Sequence, residues 1–142
     1  MKWHKTTLTI HTRGKGLYAF TGQVNAQLRA WGAREGMCFL YCPHTSASLT
    51  INENYDPSAR ADLETALERL APENDTWYTH TIEGRDDATS HIRAMLTDSS
   101  LAIPIDGGQL TLGTWQGVYL FEHRAYPHQR EVWIRVLNIS DE

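Results

Sequence analysis

Ser100-Leu101-Ala102-Ile103-Pro104-Ile105-Asp106-Gly107-Gly108-Gln109-Leu110-Thr111-Leu112 decides the fold class of this chain. An apolar run from Ser100 to Ile105 meets Asp106-Gly107-Gly108, and a short run from Gln109 to Leu112 returns. Glycines supply the positive φ that a tight hairpin turn needs, so the two runs are expected to pair antiparallel. Gly113 then breaks the pattern. Two long strands follow, Trp115 to Glu122 and Arg130 to Asn138, joined by a polar loop. The chain thus mixes hairpins and helices without the regular β-α-β alternation of a parallel sheet.

Working outward, Trp3 to His11 alternates as a half-exposed strand rich in threonine, and Leu17 to Phe20 is a second short strand. Thr21 is expected to cap a helix that carries Val24, Leu28 and Trp31 on one stripe, with Gly32 and Gly36 bracketing its end. Met37 to Tyr41 is apolar on both faces, as expected of a central or interface strand, and so is Val118 to Phe121. Ser48 to Asn52 is another strand. Asp56-Pro57 opens a helix with a capping carboxylate and a proline at the first helical position; Ala59, Leu63, Leu67 and Leu70 keep helical spacing up to Pro72. A third helix starts near Asp86 or Asp87 and is expected to turn Ala88, Ile92, Met95 and Leu96 inward. The expected fold is α+β: a single domain over residues 1–142, with a mainly antiparallel or mixed sheet and helices on one face.

Composition agrees. The 142 residues are 41% hydrophobic and 21% charged, as in a soluble globular protein. A net charge of -4 argues against a nucleic-acid binder that works through bulk electrostatics. The start, Met1-Lys2-Trp3-His4-Lys5, has no apolar run behind it, so neither a signal peptide nor a membrane span is expected, and the location expected is cytoplasmic. Cys38 and Cys42 read as buried small hydrophobes in preference to a metal or redox pair.

Two polar runs stand out against this background. His44-Thr45-Ser46-Ala47-Ser48-Leu49-Thr50-Ile51-Asn52-Glu53 drops an imidazole, hydroxyls, an amide and a carboxylate into a strand. Gly113-Thr114-Trp115-Gln116-Gly117 places small residues, an indole and an amide before an apolar strand. Buried polar groups cost free energy without partners, so the two runs suggest a site. Ser46, Ser48 and Thr50 hydroxyls and the Gly113-Thr114 backbone N–H groups are donors suited to a phosphate.

His44, His80, His91 and His123 are the imidazoles to weigh. Three imidazoles can leave an open position on zinc. No His-x-x-x-His pair marks a shared face, and each ring can equally be a surface or hydrogen-bonded core residue. His123 adjoins Glu122 on a strand and should face the opposite way. Glu122 can bind a ligand, orient a histidine or accept a proton, or pair with Arg124 or Arg130. Asp56 reads first as a helix cap.

Pro43 to Glu53, Ser90-His91-Ile92, Gly113 to Gly117 and Glu122-His123-Arg124, in this order, strongly resemble the YjbQ family, which is linked to a secondary thiamine-phosphate synthase activity. The resemblance implies a compact α+β subunit that assembles as a homotrimer, with its polar motif residues around one cleft. It implies a metal site at His44, His80 and His91, for a divalent metal such as zinc, and a small phosphorylated metabolite as substrate. Catalytic candidates are Glu122, Ser46 and Asp56; substrate-binding candidates are Thr45, Asn52, Gly113, Thr114, Trp115 and Gln116. The chain departs from many relatives at Ala88 and at Arg124-Ala125-Tyr126-Pro127-His128, which alters the cleft rim. The readings that follow are a thiamine-phosphate synthase-like transferase or metal-dependent hydrolase or lyase, and a non-catalytic trimeric protein that binds a metal or metabolite.

Overall fold

The computed structural model describes residues 1–141. Its elements in chain order are β1 (Lys2–Thr12), β2 (Gly16–Ala19), α1 (Thr21–Trp31), β3 (Gly36–Tyr41), β4 (Ala47–Glu53), α2 (Pro57–Leu70), α3 (Asp87–Leu96), β5 (Ser100–Asp106), β6 (Gln109–Leu110), β7 (Gln116–Glu122) and β8 (His128–Asn138). The strands form two sheets, in the orders β1-β8-β3-β5-β6 and β2-β7-β4. Every strand pairing is antiparallel. The expected hairpin is present: Asp106 pairs with Gln109, and Gly107 and Gly108 both have positive φ.

The core lies between the two sheets. Cys38 and Leu40 of β3, Val132, Ile134 and Val136 of β8, and Ile103 and Ile105 of β5 meet Leu49 of β4 and Val118 and Leu120 of β7. Val24 and Leu28 of α1 complete this cluster. On the other face of β7, Tyr119 and Phe121 join Leu17 in a second cluster, and α2 covers it with Leu63 and Leu67. β7 is therefore central and buried on both faces, as its two-sided apolar pattern predicts. β3 is also central, but its second face is bare: Phe39 and Tyr41 are exposed beside Trp3 and Trp133, whose rings they approach at 6.2 and 5.6 Å respectively.

Helix α2 starts as predicted, with Asp56 Oδ1 accepting from Ser58 N at 2.9 Å and Pro57 in the first turn. Two expectations are corrected. Thr21 does not cap α1; Phe20 is the cap residue, and Thr21 Oγ1 instead accepts the Val118 N–H at 2.9 Å, tying α1 to β7. Helix α3 lies with its polar side in. Asp87, Thr89, Ser90 and Arg93 are buried, whereas Met95 and Leu96 are exposed and Ala88 and Ile92 only half-buried. The polar face is stable inside because it is paired: Arg93 donates to Ala71 O and to Glu68, and Thr89 to Pro72 O. The cysteines are buried and free, and burial pushes the Cys38 thiol up to about 12, so it stays a neutral hydrophobe.

Gly36 sits where β3 begins, at φ 147°, and a Cβ there would lie 1.8 Å from Leu137 O of the neighbouring strand. Gly36→Ala must push β3 off β8. We expect it to destabilise the fold by at least about 2 kcal/mol, read as a lowered urea midpoint.

Candidate functional site

The N-terminal turn of α3 and the segment before it bring together the one group of potential metal ligands found among the described residues: His80, Asp87 and His91. Asp87 and His91 are four apart on α3 and so share a face. Asp87 Oδ2 lies 2.7 Å from His80 Nε2 and 3.0 Å from His91 Nε2. Its other oxygen accepts from Arg124 Nη1 at 2.6 Å. Burial opposes the charge on Asp87, but His80, His91 and Arg124 outweigh it and hold the carboxyl below its ordinary range. Asp86 clamps the same loop: its Oδ2 accepts the Ala125 N–H at 2.6 Å, and its Oδ1 lies 3.2 Å from Arg124 Nε.

The hydrogen bonds fix the protons of His91. Its Nδ1 lies 2.8 Å from the Thr45 carbonyl oxygen, which can only accept. Nδ1 therefore carries a proton. In the neutral ring Nε2 would then present a lone pair to a carboxylate. His91 Nε2 and Asp87 Oδ2 then face one another as two lone-pair atoms 3.0 Å apart, as two ligands of one cation would. His80 Nε2 points to the same oxygen.

His44 is not in this group within the subunit, contrary to expectation. Its Nε2 accepts the Glu131 N–H at 2.9 Å. Burial, then the Arg130 guanidinium, pushes its pKa down. It does line a cleft of about 440 Å³ together with His91, Ala47, Ala94 and Met95. A smaller cleft, about 210 Å³, is lined by His80, Arg85, Tyr78 and Thr81. A roomier groove, about 920 Å³, runs elsewhere, past Arg29, Trp31 and Asn138, and includes none of the cluster.

Glu122 is fully buried and engaged on both oxygens. Oε1 accepts from Thr12 Oγ1 at 2.6 Å and Arg130 Nε at 2.7 Å; Oε2 accepts from Arg130 Nη2 and from the Arg124 N–H at 3.1 Å. Burial alone would raise its pKa, but Arg130 and Thr12 hold it below the usual range. No lone pair is left to act as a free base in this arrangement, and Glu122 braces Arg130, the pairing that the sequence left open. Through it Arg130 Nη2 also reaches Ser46 O at 3.2 Å. Ser46 thus contributes a carbonyl here, and Thr45 contributes the carbonyl that orients His91. His123, excluded from the ligand set by alternation, is buried with Nε2 2.8 Å from Ser48 Oγ. Burial, then Arg93, pushes its pKa down to about 3, so it is neutral.

The second polar run lies apart. Ala47 pairs with Glu122 and Glu53 with Gln116, so Gly113–Gln116 and Asn52 are at the opposite end of the β4–β7 ladder. Six strand steps separate Gln116 from Glu122, about 20 Å. There Gln116 Oε1 accepts the Gly113 N–H at 2.8 Å, Asn52 Oδ1 accepts the Glu53 N–H at 2.8 Å, and Thr114 is exposed. Trp115 is exposed and packs against Tyr55 with ring centres 5.1 Å apart. Asp56, at this end too, is exposed and spent on capping α2. Within one subunit these residues do not reach the histidines. Asp87 and Arg124, absent from the predicted set, do. Asp87 reads as one of two adjacent helix-start acids, and only its four-residue spacing from His91 hints at more.

A family profile described as UPF0047 protein YjbQ-like matches residues 6–139. A UPF0047 protein of Synechocystis sp. is 47% identical over 133 residues, which cover 94% of this chain and 90% of that protein. The UPF0047 protein YjbQ of Salmonella typhimurium is 40% identical over 131 residues, covering 92% and 94%. Among solved structures, a conserved hypothetical protein from Thermus thermophilus superposes with a TM-score of 0.84 at 35% identity, covering 93% of this chain and 99% of its own.

Acid should weaken this arrangement, for two reasons. The folded pKa of His123 is below its ordinary 6.5, so below that pH the unfolded chain binds a proton that the fold refuses. Glu122, depressed below 4.5, stabilises fully above that value and loses its contribution as pH falls through its folded pKa. Urea midpoints should therefore be level near pH 7.5, decline below about 6.5 and fall further below 4.5. Glu122→Gln strands the buried Arg130 charge and should cost about 3–5 kcal/mol at pH 7.

Proposed function

The chain belongs to the YjbQ-like UPF0047 family, and from that premise we propose that it is a small cytoplasmic enzyme whose His80–Asp87–His91 cluster holds a divalent cation and acts on a small phosphorylated substrate. The observation that carries this reading is the proton pattern of His91. Its Nδ1 is committed to the Thr45 carbonyl, and its Nε2 meets Asp87 Oδ2 beside His80 Nε2. An imidazole that donates its second N–H to a backbone carbonyl has the orientation that metal-binding histidines take. The donor set, two imidazoles and a carboxylate, suits zinc better than magnesium. Tetrahedral zinc spaces neighbouring ligand atoms by about 3.3 Å, so contacts of 2.7 and 3.0 Å need only a slight opening.

A cation there would stabilise charge on phosphate oxygens. The chain's own residues supply the rest. Arg124 holds Asp87 by its far oxygen and leaves Oδ2 toward the histidines. Arg85, in the adjoining cleft, has no ion-pair partner among the described residues and can meet a phosphate dianion. The family resemblance favours a thiamine-phosphate synthase-like transferase; the ligand set equally suits a metal-dependent hydrolase or lyase. A second reading, a non-catalytic binding protein for a metal or metabolite, is favoured by Glu122, whose oxygens are all occupied.

Purified protein should contain close to one zinc per chain by elemental analysis. His80→Ala, Asp87→Ala and His91→Ala should each lower zinc affinity by at least about tenfold. Metal-dependent turnover of thiamine precursors or of a phosphate monoester, lost in His91→Ala, would support the enzyme. Stoichiometric zinc without turnover would support the binding protein, and a chain that binds no zinc would refute the metal site in either reading.

The assembly proposed is a homotrimer. Its support is the resemblance together with the bare outer face of the five-stranded sheet, where Trp3, Phe39 and Tyr41 are exposed. Patches of this kind commonly mark contacts between proteins. Light scattering should give three times the chain mass, and Phe39→Glu with Tyr41→Glu should give a folded monomer.

A further inference from the structure

His44 is tied at one nitrogen and free at the other. Nε2 accepts the Glu131 N–H, so it carries no proton and the neutral ring keeps its proton on Nδ1. No described residue partners Nδ1. A nitrogen that must keep its proton has no lone pair for a cation, so His44 stands outside any ligand set formed by His80, Asp87 and His91. Yet it lines the same cleft as His91, and the walls between them include Ala47, Ala94 and Met95. Ala47, Ala94 and Met95 bring no charge, and Thr45 and Ser99 complete the lining with uncharged polar groups. The nearby Arg130 guanidinium is buried and neutralised by Glu122.

We infer that His44 is a neutral hydrogen-bond donor to the ligand, and that this cleft takes a small, mostly apolar group carrying one uncharged acceptor, a carbonyl oxygen or an equivalent atom. The inference rests on the cation site proposed for the far wall, and it assigns the two histidines different work. His91 serves the cation, and His44 Nδ1–H reads the organic part of the ligand. Filling the cleft with a group that lacks an acceptor would strand the Nδ1–H donor away from water, and such stranding is what makes polar sites selective.

The test uses the full-length protein and two probes of matched shape, acetophenone and ethylbenzene, titrated by NMR on the Met95 methyl and the His44 ring nitrogens. The parent should bind acetophenone about tenfold or more tightly than ethylbenzene, with the proton of His44 on Nδ1. His44→Phe keeps a ring but removes the donor, and should abolish the preference while leaving zinc affinity unchanged. His44→Gln can offer its carbonyl to Glu131 N–H and its amide N–H₂ to the cleft, and should restore it. Equal binding of the two probes by the parent overturns the inference. So does a proton on Nε2 in place of Nδ1, or a preference that survives in His44→Phe. Loss of zinc in His44→Phe comparable to that in His91→Ala overturns it too, by making His44 a ligand. A parent that binds no zinc but prefers acetophenone would remove the cation site and leave the role of His44 standing.

Discussion

The buried pair of Glu122 and Arg130 is the constraint on which the rest of the structure depends. Glu122 ends β7 in the three-stranded sheet, and Arg130 lies near the start of β8 in the five-stranded one. The pair therefore joins the two layers at one end of the sandwich. Thr12 of β1, the Arg124 N–H and Ser46 O are fastened to it. Desolvating two charges is expensive, and such pairs add little net stability compared with apolar packing. What this one supplies is position. It fixes the backbone at Ser46 and Arg124, and so places the Thr45 carbonyl that orients His91 and the guanidinium that holds Asp87.

The orientation of α3 follows from the same fastening. Ile92, Met95 and Leu96 have the spacing of a core-facing stripe, yet Met95 and Leu96 face out and Ile92 is only half-buried. The opposite stripe has specific partners waiting: Arg124 for Asp87, and Glu68 and the Ala71 carbonyl for Arg93. Once its donors and acceptors are all met, a polar face can be buried without the usual penalty. Turning the helix over would leave Arg93 and Asp87 without these bonds and take Asp87 away from His80. The apolar stripe is instead left beside the cleft, where Met95 forms a wall.

The two polar runs show how a sheet can separate residues that sequence reasoning groups together. β4 and β7 are paired along their full length, so the runs that flank them fall at opposite ends of one ladder. One end meets the loops that carry the histidines. The other meets the start of α2, where Asp56 caps the helix and Trp115 packs on Tyr55. Any ligand that used both ends of one chain would have to span about 20 Å.

Much of this protein was legible in the residues. Alternation, glycine turns and Asp56-Pro57 located the strands, the hairpin and α2, because these depend on local backbone preference and on which side chains seek the interior. Two-faced apolar runs marked β3 and β7 as central. Local pattern does not contain the partners of polar groups, and there the sequence was silent or misleading. It offered His44 and not Asp87 for the metal, Glu122 as a base or an arginine partner, Thr21 as a cap and α3 with its apolar side in. Each of these was decided by a contact distant in the chain: Glu131 N–H on His44, Arg130 on Glu122, Val118 N–H on Thr21, and Arg124 on Asp87. Periodicity records which residues avoid water; only the tertiary structure decides which polar atoms find one another, since each such bond depends on the whole fold bringing two segments within about 3 Å.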